Sequence, residues 1–250
     1  MTFPRVSILN TPVDIAGVND ILGYFRKVIE VKEKVFVVTA NALMINSALK
    51  DKQLAQAIHG ANLSVPDSVG IMIAGKLYGY PIKQRITGID LLDKIFDISE
   101  KMGYSVYLIG ATAEVITAAA GNIKAKYPAL KIAGFRDGYF KPEDENKVVE
   151  EINSCAPQFL LAGFGVPKQE LWLYRLREIL NVNIMIGIGG SFDVFSGKIP
   201  RAPIWMQRCG LEWLYRLYRE PWRISRMKDL PVFIWKVVVD VITGKYGRNG

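Results

Sequence analysis

Asp67 stands where a carboxylate can take a proton. Leu63-Ser64-Val65 is a short apolar run that ends at Pro66. Proline has no N–H and holds the residue before it extended. The pattern predicts a strand that stops there, Asp67 at its C-terminal edge, and a buried helix over residues 70–77. In open α/β sheets, ligands bind beyond the carboxyl ends of strands, so Asp67 is a candidate general base. Its competing role is the N-cap of the following helix. Thr39 and Asn41 stand at a second strand-to-helix junction, after the β-branched run Val35-Phe36-Val37-Val38, and Asn41 is also a fit helix cap. Arg85 is flanked by apolar residues and a nearby glycine, so it is either a phosphate contact in a pocket or a surface salt bridge.

Further along, Phe159-Leu160-Leu161-Ala162 meets the turn Gly163-Phe164-Gly165, and Pro167-Lys168-Gln169 opens a helix. Proline suits a first helical position. Lysine there is disfavoured by the helix dipole unless an anion is present, so Lys168 is either a ligand contact or a solvated side chain. Gly189-Gly190-Ser191 closes a last strand over residues 183–188. Paired glycines let a backbone approach a ligand closely, with Ser191 beside them.

The elements that must position these groups alternate strand and helix. A hairpin around Asn10-Thr11-Pro12 precedes a helix over residues 18–30, a strand over 35–39 and one continuous helix over 43–58. A helix over 91–102, a strand over 105–110, a helix over 113–127, a strand over 131–135 and a helix over 142–153 follow. This alternation predicts an α/β fold, a parallel Rossmann-like sheet with flanking helices. The glycine fingerprint of a dinucleotide site is absent. Pro200-Arg201-Ala202-Pro203 divides an α/β body over residues 1–199 from a helical appendage over residues 200–250.

The chain has 250 residues, half of them hydrophobic, which excludes wholesale disorder. Cys155 and Cys209 have no metal spacing. His59 is the single histidine and sits at a helix end, which argues against a Ser-His-Asp site. No signal peptide opens the chain, so a cytoplasmic location is expected, and no apolar run reaches the ~20 residues that span a bilayer. The net charge is +8, and residues 201–250 hold ten Lys/Arg against four Asp/Glu, together with four of the five tryptophans. A basic, aromatic segment suits an anionic membrane surface or a nucleic acid. The apolar run over residues 232–241 is either an interfacial membrane segment or a helix packed on the body.

Taken in order, the blocks resemble the WecG/TagA/CpsF family of bacterial glycosyltransferases over nearly the whole chain. They are Thr39-Ala40-Asn41, Pro66-Asp67-Ser68-x-Gly70, Arg85-x-x-Gly88-x-Asp90, Gly163-x-Gly165-x-Pro167-Lys168-Gln169-Glu170, Gly189-Gly190-Ser191-Phe192-Asp193, Arg201-Ala202-Pro203, Leu211-Glu212-Trp213-Leu214-Tyr215-Arg216 and Glu220-Pro221-x-Arg223. Some family members have proline at the position of Ala40. The resemblance implies an inverting transfer of a sugar, N-acetylmannosamine first, from a UDP-sugar to a polyprenyl-diphosphate-linked GlcNAc-type acceptor. Its products would be teichoic acid linkage units or other surface polysaccharides. Other donors within the family are the uronic acid of UDP-N-acetylmannosamine, UDP-glucose and UDP-glucuronic acid.

By position, the resemblance makes Asp67 the catalytic base and Thr39, Asn41, Gln169, Gly189, Gly190 and Ser191 donor-pocket residues. Arg85, Arg216, Arg223 and Arg226 become diphosphate and acceptor contacts. The expected partners are the UDP-sugar, the polyprenyl-linked acceptor and the inner face of the cell membrane as a peripheral site. The oligomeric state stays open, a homo-oligomer included. No Asp-x-Asp pair is present to hold a cation, so no metal or other cofactor is expected. A nucleic-acid-binding role is the rival class, disfavoured because the body shows no recognition motif.

Overall fold

The structure is a computed structural model that describes residues 3–221 and 229–245. Six strands form one parallel sheet in the order β4-β3-β8-β7-β5-β6. They are β3 (Val35–Ala40), β4 (Leu63–Pro66), β5 (Ser105–Gly110), β6 (Lys131–Arg136), β7 (Phe159–Gly163) and β8 (Ile184–Gly187). An antiparallel hairpin of β1 (Arg5–Ile8) and β2 (Thr11–Asp14) forms a second, two-stranded sheet that packs against β4, where Ser64 N–H donates to the Asp14 carboxylate.

Alternate residues of the central strands face opposite sides, and both sides are covered. Val35, Val37, Leu108, Leu161 and Ile186 pack under α1 (Val18–Glu30), α5 (Gly88–Met102) and α6 (Ala113–Lys126). Phe36, Val38, Ile109, Leu160 and Met185 pack under α3 (Lys52–His59), α7 (Glu145–Cys155) and α8 (Lys168–Leu176). Burial on both faces is why these strands read as unbroken apolar runs.

Four local features differ from the sequence expectation. The hairpin turn lies at Leu9-Asn10, both with positive φ, because Ile8 pairs with Thr11. Asn10 tolerates that conformation, and a two-residue loop of this kind matches the strand twist. The helix expected over residues 43–58 is two, α2 (Ala42–Ala48) and α3, because Asp51 accepts from Gln53 and Leu54 N–H and restarts the chain. Residues 142–144 form a 3₁₀ turn ahead of α7. Helix α5 begins one turn early, at Gly88, where the Thr87 hydroxyl accepts from Asp90 N–H.

Beyond the sheet lie α9 (Ser191–Phe195), α10 (Ile204–Arg208), α11 (Glu212–Arg219) and α12 (Asp229–Thr243). Helix α12 packs on the body against α2 and α4 (Val69–Tyr78). Phe233 and Val237 are fully buried there with Ile8, Val13, Ile45 and Ile71. Gly70 makes this approach feasible, since a Cβ there would lie 2.8 Å from Ala42 Cβ and 3.1 Å from Leu230 Cδ1. The Tyr78 hydroxyl donates to buried Asp240 at 2.5 Å and seals the far end. The run over residues 232–241 is therefore a packed helix. No helix among the described residues is long and apolar enough to cross a membrane.

Candidate active site

A cleft of about 300 Å³ opens beyond the C-terminal ends of four neighbouring strands, β4, β3, β8 and β7. Thr39, Asn41, Asp67, Arg85, Gln169, Gly189, Gly190, Ser191 and Arg216 all line it. Residues 39, 67, 169 and 190 are far apart in sequence, and the parallel sheet brings them together because each stands at or shortly after the C-terminal end of a strand. Arg223 and Arg226 lie outside the described residues.

Asp67 is half-buried and does not cap α4, because the Ser68 hydroxyl accepts from Ile71 N–H in its place. Its Oδ1 instead accepts from Gly88 N–H at 3.0 Å. Gly88 is the first residue of α5, so the carboxylate sits at a helix N-terminus. Burial pushes the Asp67 carboxyl up to about 6, opposed by the Gly88 N–H and by the charges of Arg216 and Arg85. A carboxyl so placed is ionised at neutral pH and still basic enough to take a proton.

The remaining cleft residues divide by what their polar atoms already hold. Thr39 Oγ1 donates to Gly187 O at 2.9 Å and ties β3 to β8. Asn41 does cap a helix: its Oδ1 accepts from Met44 N–H at 2.9 Å. Ser191 Oγ donates to Ile188 O at 2.7 Å.

Gln169 is a clasp. Its Oε1 accepts from Gly165 N–H at 3.1 Å and Gly189 N–H at 3.0 Å, and its Nε2 donates to Glu170 Oε1 at 2.6 Å. It thereby holds the loops after β7 and β8 at a fixed separation. Gly187 leaves room for it, since a Cβ there would lie 2.6 Å from Gln169 Nε2. Glu170 is fully buried, and burial raises its carboxyl to about 7.

Arg85 answers its two readings with a third. It forms a salt bridge, but a half-buried one at the cleft wall. Its Nη2 donates to Glu212 Oε2 at 2.9 Å and to Gln207 O at 3.0 Å. Arg201 approaches the other carboxylate oxygen of Glu212 at 3.5 Å and also pairs with Asp90. Glu212 thus joins the body to α11, and Arg216, one turn further, reaches the same cleft.

Lys168 is exposed and does not line the cleft. Its Nζ donates to Gly138 O at 2.9 Å and stands over the Phe140 and Phe164 rings. Gly88, Glu212, Trp213 and Leu230 are cleft residues that sequence reasoning had not assigned to the site. Glu212 and Arg216, four apart on one helix face, carried the signal in part. Among the described residues, no group of three His, Cys, Asp or Glu is placed to hold a metal ion.

A cleft with one basic-range carboxylate and facing guanidinium groups can deprotonate a hydroxyl and steady a leaving diphosphate. The comparisons with known proteins agree with that chemistry. The chain is 33% identical over 233 residues to a protein of Bacillus subtilis strain 168, covering 93% of this chain and 90% of the relative. It is 34% identical over 237 residues to one of Staphylococcus aureus strain MW2, covering 93% and 92%. A protein of Bacillus spizizenii is 34% identical over 203 residues, covering 81% and 78%. Each of these relatives is named N-acetylglucosaminyldiphosphoundecaprenol N-acetyl-beta-D-mannosaminyltransferase. The model of the glycosyl transferase WecG/TagA/CpsF family matches residues 6–246, and the chain belongs to that family of glycosyltransferases.

Proposed function

We propose that this enzyme transfers N-acetylmannosamine from UDP to a GlcNAc carried on a polyprenyl diphosphate, in synthesis of a cell-surface polymer such as a teichoic acid. The observation that carries the reading is Asp67, held at the N-terminus of α5 and faced by Arg216, at the meeting point of four strand ends. An acceptor hydroxyl attacks the anomeric carbon and gives its proton to Asp67. The bond from that carbon to the UDP oxygen breaks, and UDP leaves with the electron pair. One displacement inverts the anomeric centre. The second carboxylate of the cleft, Glu212, is engaged with Arg85, which leaves Asp67 to act as the base.

Thr39, Asn41, Gln169 and the Gly189-Gly190-Ser191 turn form the donor side in this reading, with backbone exposed where glycine carries no side chain. Arg85 and Arg216 face the diphosphates in this reading, and the family resemblance gives Arg223 and Arg226 the same role. Guanidinium groups present fixed paired donors to phosphate oxygens, so charge neutralisation of the leaving group needs no cation. The enzyme would work as a peripheral protein on the inner membrane face. Exposed Ile204, Trp205, Leu214, Tyr218 and Trp235 support that placement, as does the basic composition of residues 201–250. Aromatic and basic groups together favour an anionic interface.

The test is incubation of the purified chain with a panel of UDP-sugars and a lipid-diphosphate-GlcNAc acceptor, read by mass spectrometry and by NMR of the new linkage. Transfer of N-acetylmannosamine with inversion is expected. Exclusive transfer of a uronic acid or of glucose would replace the donor assignment, and retention at the anomeric carbon would remove Asp67 from its role. Flotation with anionic liposomes checks the membrane placement.

A further inference from the structure

A second groove adjoins the cleft. It is lined by Trp213, Leu230, Pro231, Ile234 and Trp235, and it shares Trp213 and Leu230 with the cleft. Its floor is the first turns of α12, where Leu230 and Ile234 form one row and Pro231 and Trp235 the next. Trp213 forms the wall on the cleft side. On α11, Trp213 and Arg216 stand three apart, so the aromatic wall and the guanidinium are neighbours on one helix face. Among the described residues, none that lines this groove carries a charge, although the surrounding segment is strongly basic.

We infer that this groove is the subsite for the first isoprenoid units of the lipid-linked acceptor. The inference rests on the function proposed above and deepens it. In such an acceptor the hydrocarbon begins at the diphosphate. A site that holds the diphosphate by Arg216 must therefore meet apolar surface immediately beside it, and the groove begins there. Leu230 to Trp235 covers about 7.5 Å of helix at 1.5 Å per residue, a span that accommodates roughly one to two extended isoprene units.

Exposed apolar side chains continue past the groove along α12, at Val238 and Ile242. They offer the rest of the lipid a path away from the cleft. A bilayer alone would be served by a convex apolar face. A concave, uncharged slot opening into the cleft fits a single chain delivered to the reacting centre.

The test compares three soluble acceptors, GlcNAc-diphosphate esters of methanol, of a ten-carbon isoprenoid alcohol and of a twenty-carbon one. All are assayed below their micelle concentrations and without bilayer. From the methyl to the ten-carbon ester, kcat/KM should rise about 10-fold, which is about 1.4 kcal/mol. From ten to twenty carbons it should rise less than about 2-fold, because the groove is filled. Trp235 is largely exposed, so Trp235→Ala should fold normally, keep the wild-type rate with the methyl ester and lose most of the 10-fold increment. A flat chain-length response in the wild type would overturn the assignment, and so would an undiminished increment in Trp235→Ala. If that variant lost only liposome flotation, the patch would belong to the bilayer and the inference would fail. No transfer to any of the three esters would overturn the acceptor assignment and the groove with it, whereas transfer without chain-length preference would overturn the groove alone.

Discussion

In the α/β body, helix α5 turns Leu91, Leu92, Ile95 and Phe96 inward and leaves Asp90 and Lys94 at the surface. Helix α11 reverses that relation. Its polar side, Glu212 and Arg216, faces the cleft, while Leu214 and Tyr218 face outward, Tyr218 with 79% of its surface exposed. Helix α12 does both. Phe233 and Val237 are buried in the body, while Trp235 and Ile242 are 66% and 77% exposed. An amphipathic helix of a globular core buries its apolar stripe. An outward apolar face on a helix whose charged face is used marks an interaction surface. The C-terminal segment therefore presents two faces, a polar one to the cleft and an apolar one to the outside, while the sheet edge presents one.

That contrast is broken most directly at the base. Asp67→Asn should lower kcat about 1,000-fold, within the range for loss of a general base, with donor binding retained in calorimetry. The asparagine can still accept from Gly88 N–H. Its stability has a definite sign. Asp67 holds its proton more tightly folded, at about 6, than at the ordinary value of 3.8. Its ionisation therefore erodes stability as pH rises through that interval, and the loss is complete above it. The variant should melt at or above the wild-type temperature at pH 7.5. Near-normal turnover would remove the base from the sheet edge.

Arg216→Ala should cost about 100-fold in kcat/KM, the scale for one preorganised electrostatic partner. This variant also tests whether α11 tunes the base. In the wild type, kcat/KM should rise with pH through about 6 as Asp67 ionises. Arg216 favours the ionised form, so its removal should move that limb to higher pH. An unmoved limb with the same loss would leave Arg216 a diphosphate contact only.

Glu212→Gln should have a smaller effect, about 5-fold in KM for the donor with kcat nearly unchanged. An amide keeps one hydrogen bond to Arg85 but loses the charge that holds Arg85 and Arg201 together, a partly buried pair worth on the order of 1 kcal/mol. A loss as large as that of Asp67→Asn would give Glu212 a direct part in the chemistry. The smallest expected effect is none at all: in the proposed mechanism guanidinium groups neutralise the diphosphate, so exhaustive EDTA treatment should leave turnover unchanged. Loss of activity restored by Mg²⁺ or Mn²⁺ would replace the arginines as the leaving-group partner.

Much of this was legible along the chain. The alternation of apolar runs with amphipathic stretches determines a parallel sheet, since only strands buried on both faces read that way. Thr39, Asp67 and Gly189 come directly after those runs and share one edge of the sheet, because parallel strands all end on the same side. Capping was undecided locally. Asn41 and Asp67 read alike in sequence, yet Asn41 caps α2, while Ser68 caps α4 and frees Asp67 for Gly88.

What only the tertiary structure decided are the pairings across long separations. Thr39 reaches Gly187, 148 positions away, and Arg85 reaches Glu212, 127 away. Tyr78 closes on Asp240 from 162 positions away, and together with the burial of Phe233 and Val237 it makes an apolar stretch that also suited a membrane a packed helix with one face left outward. Side-chain periodicity reports which face of an element is apolar. It carries no information about which distant surface will meet that face, because that contact depends on how the whole chain folds.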